Sequence, residues 1–173
     1  MATRLYFPGA IAGNNLPEVT PAANGTWDNT ASVLERGVVG HTRSWAQSAG
    51  GASSAWTAGQ TCLARRCTSP RLSGAQTISG TVKIQALALE SNADDNATSR
   101  LEIYVVSEDG STVRGTLLSG PTQYGPATEF NTSNRNKTFA DGDAVSSVSA
   151  QDGDRIVVCL GATDAAGTTP SAT

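Results

Sequence analysis

The chain has few of the side chains that most often carry catalysis or bind metals, with one histidine and three cysteines among 173 residues. His41 has no plausible serine or cysteine partner near it in sequence, so we interpret it as a polar loop residue rather than a catalytic base. Cys62, Cys67 and Cys159 do not have the spacing of metal ligands. We therefore expect no catalytic, cofactor-binding or metal-binding residues and no enzymatic activity.

Long apolar runs and a strong charge of either sign are also missing. No run of 18 apolar residues occurs, which excludes a membrane-spanning helix, and the net charge of −3 argues against a general nucleic-acid binder. Arg65, Arg66 and Arg71 form the one basic cluster, which we interpret as a solvated strand face. The first 13 residues lack the apolar core of a secretory signal, so we expect folding in a reducing cytoplasm.

What the chain does have is alternating hydrophobicity. Between residues 82 and 89, and again between residues 101 and 106, apolar side chains recur at every second position, and Asn-, Asp- and Gly-rich turns bound both runs. This period of two predicts half-buried strands. The positions that we predict to be buried in the core are Val82, Ile84, Leu101, Ile103, Val105, Ile156 and Val158.

Shorter patterns predict further strands, and no segment has helical periodicity. We expect strands within residues 3–7, 32–42, 61–68, 111–118, 137–139, 144–149 and 155–160, with Gly120-Pro121 and Gly125-Pro126 bracketing a loop. Eight or nine short strands with long connections predict an all-β fold, a two-sheet antiparallel β-sandwich of jelly-roll type. Because Cys62 and Cys67 are five residues apart on one extended strand, we expect them on opposite faces. The sequence allows a disulfide between strands but does not determine whether one forms.

The first third of the chain is irregular in pattern, so we divide the chain into a loop-rich N-terminal arm (residues 1–59) and a β-sandwich core (residues 60–173). Tryptophans are spaced through the arm, and each is large enough to act as an anchor on a partner or to fill the domain's own core. In the first case, we expect the arm to gain order on binding and to be removable up to about Thr30 without unfolding the core. The interface candidates are Trp27, Trp45, Trp56, Tyr6 and Phe7.

Two Asp-Gly-Asp motifs, at residues 141–143 and 152–154, are the most suggestive acidic features. Oxygen-rich loops of this kind can bind calcium, and residues 94–96 could join them. Asp-Gly is also what tight turns between strands require, and neither motif is followed by the glutamate of an EF-hand. We interpret both motifs as turns. The remaining carboxylates have no pattern that pairs them for glycoside hydrolysis.

Several blocks of sequence resemble a family of structural proteins from tailed-phage and prophage virions. They are TRLYFP near the start, TWDNT at residues 26–30, LARRCTSPRL, the run from ISGTVKIQALALE to EDGSTVRGTLLSG, and SSVSAQDGDRIVVCLG. The turn in SEDGSTVRGTLL is the most family-specific piece. The resemblance covers most of the chain and implies a β-sandwich component of the virion. It also implies that similar proteins continue past Thr173 with a further strand.

The resemblance carries no catalytic residues, because the matching positions are strand and turn residues. It implies a decoration or cement protein on the capsid, present in many copies or as a homo-oligomer, with the major capsid protein or other virion proteins as partners. A tail or neck component is the alternative placement. A lectin-like carbohydrate-binding module is the alternative of another class, with exposed Trp27, Trp45, Trp56 or Tyr124 as sugar platforms. A glycan-degrading enzyme would require two carboxylates facing each other across a cleft.

Overall fold

A computed structural model describes residues 21–27, 29–30, 46–47, 59–88, 96–133 and 135–164, which form eight strands and no helix. The strands are β1 (Asn29–Thr30), β2 (Ala46–Gln47), β3 (Thr61–Thr68), β4 (Gln76–Ala88), β5 (Ala97–Val106), β6 (Val113–Thr122), β7 (Arg135–Ala150) and β8 (Arg155–Asp164). The predicted all-β class is confirmed for these ranges, and within them no helix has the length and apolarity to cross a membrane. The strands predicted within residues 3–7 and 32–42 lie outside the described residues.

The strands form two sheets. One has the order β1-β3-β8-β5-β6, with β2 also pairing with β3, and the other consists of β4 and β7. Every pairing is antiparallel except that of β1 with β3. The pairings are nested along the chain, since β3 pairs with β8, β4 with β7 and β5 with β6.

The main core lies between the two sheets. Leu101, Ile103 and Val105 of β5 belong to one cluster with Phe139 and Val148 of β7. Five of the seven predicted core positions are buried, while Val82 and Ile156 are half-buried against the same cluster. The buried residues that complete the cluster are Cys62, Cys67, Ile84, Ala97, Leu117, Leu118, Phe130, Ala140, Ala150, Val158, Leu160 and Ala162.

The six-stranded sheet is also covered on its other side, which we call the outer face. A second apolar cluster lies there, and two of its members, Tyr104 and Val106, alternate along β5 with the residues of the main core. The expectation of a half-buried strand is therefore wrong for β5, which is a central strand buried on both faces. The remaining buried members of the outer-face cluster are Leu63, Val157 and Cys159.

Two predicted breaks fall inside continuous strands. Residues 137–139 and 144–149 are parts of the single strand β7, where Gly142 is an extra residue between the pairs Lys83–Asp141 and Val82–Asp143. The first Asp-Gly-Asp motif is therefore a β-bulge and not a turn, because the ladder with β4 resumes on both sides of it. Gly120-Pro121 likewise lies within β6, so the loop begins only after Thr122.

A bulge in β3 overturns the expectation for two of the cysteines. Leu63 pairs with Gly161 of β8 and Arg65 with Leu160, which leaves one extra residue between them. That extra residue reverses the alternation, so Cys62 and Cys67 both point into the core between the sheets. Both thiols, together with that of Cys159, are buried, and none of the three forms a disulfide.

Candidate functional site: the outer face and the loop end

A buried carboxylate lies at the centre of the outer face. Glu102 of β5 is only 1% exposed. Its Oε1 accepts a hydrogen bond from Asn24 Nδ2 at 2.8 Å, and its Oε2 accepts one from Trp27 Nε1 at 3.2 Å. Both donors come from residues 21–27, which we call the docking segment. Each carboxylate oxygen thus has its own donor from that segment, as a buried charge requires.

Arg66 of β3, Tyr104 of β5 and Cys159 of β8 surround this carboxylate. Burial raises the pKa of Glu102, while the hydrogen bonds from Trp27 and Asn24 and the charge of Arg66 oppose that rise. Burial also raises the pKa of the Cys159 thiol to about 11, so this thiol is protonated at neutral pH. Since the thiolate is the nucleophilic form of cysteine, the cluster holds no activated nucleophile.

The docking segment contacts the outer face at further points. Tyr104 donates its hydroxyl hydrogen to the carbonyl oxygen of Ala22 at 2.9 Å, and the Ala22 amide donates to the Gly110 carbonyl oxygen at 2.8 Å. Asn24 Nδ2 also donates to Thr116 Oγ1 of β6 at 3.0 Å. The Trp27 side chain packs against the outer-face apolar cluster. Polar and apolar contacts together hold the segment against β5, β6 and β8.

Two glycines permit this close approach. A Cβ atom on Gly25 of the docking segment would lie 2.7 Å from Glu102 Oε1. On β8, a Cβ atom on Gly161 would overlap both the Cys62 carbonyl oxygen and the Trp27 ring. Because neither space can hold a side chain, the segment and the sheet fit each other only with glycine at both positions.

The second candidate site is the loop end, where residues 69–75, 107–112 and 151–154 meet. Arg155 joins two of these loops from the start of β8: its Nε donates to the Glu108 carbonyl oxygen at 3.1 Å and its Nη1 to the Ser69 carbonyl oxygen at 3.2 Å. The side chain is only 5% exposed. The amide of Gly153 in the third loop donates to the Leu72 carbonyl oxygen at 3.0 Å. The loop end is therefore a fixed arrangement of backbone.

A polar groove of about 680 Å³ opens at the loop end. Opposite charges on its walls pair with each other, since Arg71 Nη1 lies 2.8 Å from Glu108 Oε1 and Arg114 Nε lies 3.4 Å from Asp154 Oδ1. No aromatic side chain is among the residues that line it, which are Arg71, Ser107, Glu108, Asp109, Ser111, Thr112, Arg114, Gln151, Asp152 and Asp154. The groove thus lacks the stacking surface that a sugar platform would supply.

The turn between β5 and β6 is organised by one carboxylate. Asp109 Oδ1 accepts hydrogen bonds from the Ser107 hydroxyl and from the Ser111 amide, the latter at 3.0 Å. The Ser107 hydroxyl hydrogen bond, followed by the bonds from Ser111, lowers the pKa of Asp109 to about 2. Ser107 Oγ also accepts the Thr112 amide at 3.0 Å. The turn between β5 and β6 is therefore held by its own side chains.

The carboxylates of both Asp-Gly-Asp motifs accept hydrogen bonds within the fold. The motif at residues 152–154 forms the turn between β7 and β8, as predicted, and Asp152 Oδ1 accepts the Gly74 amide at 2.6 Å. In the bulge motif, Asp143 Oδ2 accepts the Asp141 amide and Asp141 Oδ1 pairs with Lys83 Nζ, each at 2.8 Å. Within the described ranges, no three histidine, cysteine or acidic side chains group as metal ligands do.

Of the predicted interface residues, the structure describes one. Trp27 is half-buried on the chain's own sheet, which agrees with the alternative in which the tryptophans fill the domain's own core. Its contacts argue against the expectation that the chain up to Thr30 can be removed without effect on the fold. Tyr6, Phe7, Trp45 and Trp56 lie outside the described residues, as do His41 and residues 94–95.

One arginine of the basic cluster and the remaining aromatic candidate are half-buried within the fold. Arg66 is half-buried beside Glu102 and so is not a solvated charge, whereas Arg71 is exposed and pairs with Glu108 at the surface. Tyr124, the fourth sugar-platform candidate, is half-buried, and its hydroxyl donates to the Ser119 carbonyl oxygen at 2.6 Å.

Sequence reasoning missed Glu102 and Arg155. A signal for the first was present, because Tyr104 and Val106 follow Glu102 on the same face of β5 and are too apolar for a solvated surface. A carboxylate in line with them is a candidate for a buried, hydrogen-bonded charge. No pattern in the sequence identifies Arg155, whose partners are backbone carbonyl groups 47 and 86 residues away.

Comparisons with protein-family models, with curated proteins and with solved structures find no match to this chain.

Proposed function

We propose that this chain is a non-enzymatic structural protein of a tailed-phage or prophage virion, and that it decorates the capsid by attaching to the head lattice. The observation that carries the proposal is the role of SEDGSTVRGTLL, the most family-like block. Its polar side chains, Ser107, Asp109 and Ser111, hydrogen-bond to one another and to the turn's backbone. The block that resembles the family is thus used to build a rigid surface, as in a structural protein.

We further infer that the fold is a β-sandwich of jelly-roll type. In a jelly roll, eight strands form four nested antiparallel pairs: first with eighth, second with seventh, third with sixth, and fourth with fifth. The nested pairs β3–β8, β4–β7 and β5–β6 correspond to three of these four pairs. The apolar cluster that both sheets share supports face-to-face packing. Jelly rolls are common among viral capsid domains.

The proposed partner is the major capsid protein or another virion protein, and the chain is present in many copies after folding in the host cytoplasm. The loop end suits attachment to a protein lattice, because Arg155 and the Asp109 turn already hold its backbone. A surface ordered before binding loses little conformational entropy on contact. A tail or neck position would use the same surface and is the alternative placement.

Particles made by the phage or induced prophage that encodes this chain test the proposal. Purified particles are examined by quantitative mass spectrometry, and immunogold labelling distinguishes heads from tails. We expect a stoichiometric, multi-copy signal on heads. Labelling confined to tails would favour the tail or neck position, and absence of the chain from particles would contradict the virion proposal.

The lectin-like alternative is tested separately. If the purified full chain binds immobilised glycans, and the groove variant Arg114→Ala does not, the carbohydrate-binding function would be favoured over the virion proposal. Trp27 and Tyr124 are engaged within the fold and the groove is lined without aromatic side chains, so we expect no such binding.

A further inference from the structure

The docking segment interacts with the outer face as a peptide ligand interacts with its receptor. Hydrogen bonds from the Asn24 and Trp27 side chains and to the Ala22 carbonyl oxygen join it to residues between 75 and 92 positions later in the chain. No residue of the segment belongs to the core cluster between the two sheets. The contacts of the segment are thus separate from those that hold the sheets together.

The contacts also select a particular sequence. Glu102 needs two N–H donors, which Asn24 and Trp27 supply. The residue after Asn24 must be glycine, because any Cβ atom there would collide with the Glu102 carboxylate. Trp27 lies against Gly161, where the sheet has no side chain. The outer face therefore recognises the sequence Asn-Gly-Thr-Trp, which this chain itself provides.

Leaving this face uncovered would be costly. Tyr104, Val106, Val157 and Cys159 are fully buried under the present arrangement, with the Glu102 carboxylate among them. A segment of the same sequence covers the face equally well whichever copy of the chain it belongs to. Exchange between copies consequently replaces every contact with an identical one.

The length of the connecting chain permits such an exchange. If β1 moves with the docking segment and β2 stays on β3, 15 residues (31–45) connect them. Fifteen residues span at most roughly 50 Å when extended. A compact chain of this length has a radius of gyration of about 16 Å, so a copy that touches its neighbour lies within reach.

We propose that the outer face is a recognition site for residues 21–27 of a second copy of this chain, so that neighbouring copies exchange their docking segments. The inference deepens the proposed function, because a lattice holds copies side by side at a high local concentration and exchange would link them together. Its test uses the purified chain alone, so that its outcome does not depend on whether particles contain the protein.

The experiment mixes two populations of the full-length chain that differ in mass label. One carries Ala22→Cys and the other Ser111→Cys, positions beside the 2.8 Å hydrogen bond from the Ala22 amide to the Gly110 carbonyl oxygen, so that Asn24, Gly25 and Trp27 are unchanged. A short thiol cross-linker can then join these positions only when the segment of one copy lies on the sheet of another. The control partner carries Asn136→Cys, which is exposed on β7 of the other sheet.

At roughly 1 mM, a concentration comparable to that imposed by tethering, we expect a cross-linked dimer of mixed label from Ala22→Cys with Ser111→Cys. The control pair should yield several-fold less, and adding Trp27→Ala to the first chain should suppress the dimer. A dimer yield no higher than the control overturns the proposal. A single chain with both cysteines should cross-link internally when dilute, and failure to do so would refute the docked arrangement itself.

Discussion

The indole N–H of Trp27 donates a hydrogen bond to Glu102 at 3.2 Å, joining residues 75 positions apart in the sequence. The bond crosses from the docking segment to the centre of a sheet in which Glu102 is almost completely buried. Burying a carboxylate costs desolvation free energy, which its hydrogen bonds offset. If the donors are removed, that cost is no longer offset and the fold is destabilised. The stability of the outer face therefore depends on a segment far away in sequence.

Replacing Trp27 with alanine should lower the free energy of unfolding by roughly 2–4 kcal/mol, because it removes a half-buried ring and one donor to Glu102. Trp27→Phe keeps most of the ring and should cost about 1–3 kcal/mol through the lost hydrogen bond alone. Urea denaturation followed by circular dichroism measures both variants. Equal stabilities of wild type and Trp27→Ala would show that the segment is not docked in solution.

Truncation of Ile103 tests the core between the sheets. Ile103 is 3% exposed in the main cluster, and Ile103→Ala should lower the free energy of unfolding by roughly 2–5 kcal/mol. Ser119→Ala, on the exposed side of β6, is the matched control and should change stability by less than about 0.5 kcal/mol. A near-neutral effect of Ile103→Ala would mean that the register of β5 is off by one residue.

Glu102→Gln should change how stability depends on pH. Burial raises the pKa of Glu102, so the folded protein binds this proton more tightly than the unfolded chain does. The raised pKa of Glu102 adds to the free energy of unfolding. This added stability is fully present below the unfolded pKa of about 4.3 and is lost as pH rises through the folded pKa.

Urea titrations at several pH values from about 4 to about 8 compare the two proteins. The free energy of unfolding of the wild type should fall relative to that of Glu102→Gln as pH rises. A relative increase over the same interval would mean that the hydrogen bonds and Arg66 outweigh burial.

Asp109→Asn should weaken the turn between β5 and β6 and have its largest effect at neutral pH. The hydrogen bond from Ser107 and those from Ser111 lower the pKa of Asp109 to about 2. The stability that this carboxylate contributes is present above its unfolded pKa of about 3.9 and is lost as pH falls through the folded value. The difference in Tm between wild type and variant should shrink between about pH 4 and about pH 2. Glu129→Gln, at an exposed position, serves as the control.

A metal chelator should leave the Tm of the full chain unchanged. The carboxylates of the two Asp-Gly-Asp motifs accept hydrogen bonds from backbone amides and from Lys83 rather than converging on one point. A ligand that binds only the folded state would raise the Tm, and its removal would lower it. A drop of several degrees with chelator, reversed by added calcium, would revive the calcium interpretation.

Local pattern was sufficient to predict several elements of the fold. β3 has the predicted bounds, and the turn at residues 152–154 leads into β8 as expected. Alternation identified the buried positions of β4 and β5 because side chains on successive residues of a strand point to opposite faces. Such signals depend on neighbours in the chain, and the period of two together with the absence of helical periodicity was enough to indicate an all-β class.

What the sequence by itself determined is thus the presence of β3, β4, β5 and β8 and the residues of β4, β5 and β8 that face the core between the sheets. Only the tertiary structure decided that β5 is buried on both faces, since the residues that cover Tyr104 come from a segment about 80 positions earlier. It also decided that bulges in β3 and β7 bring Cys62 and Cys67 to one face and keep Asp141 and Asp143 inside one strand. The physical reason is that a bulge is defined by the pairing with another strand, and a buried charge by the partners that distant parts of the chain supply.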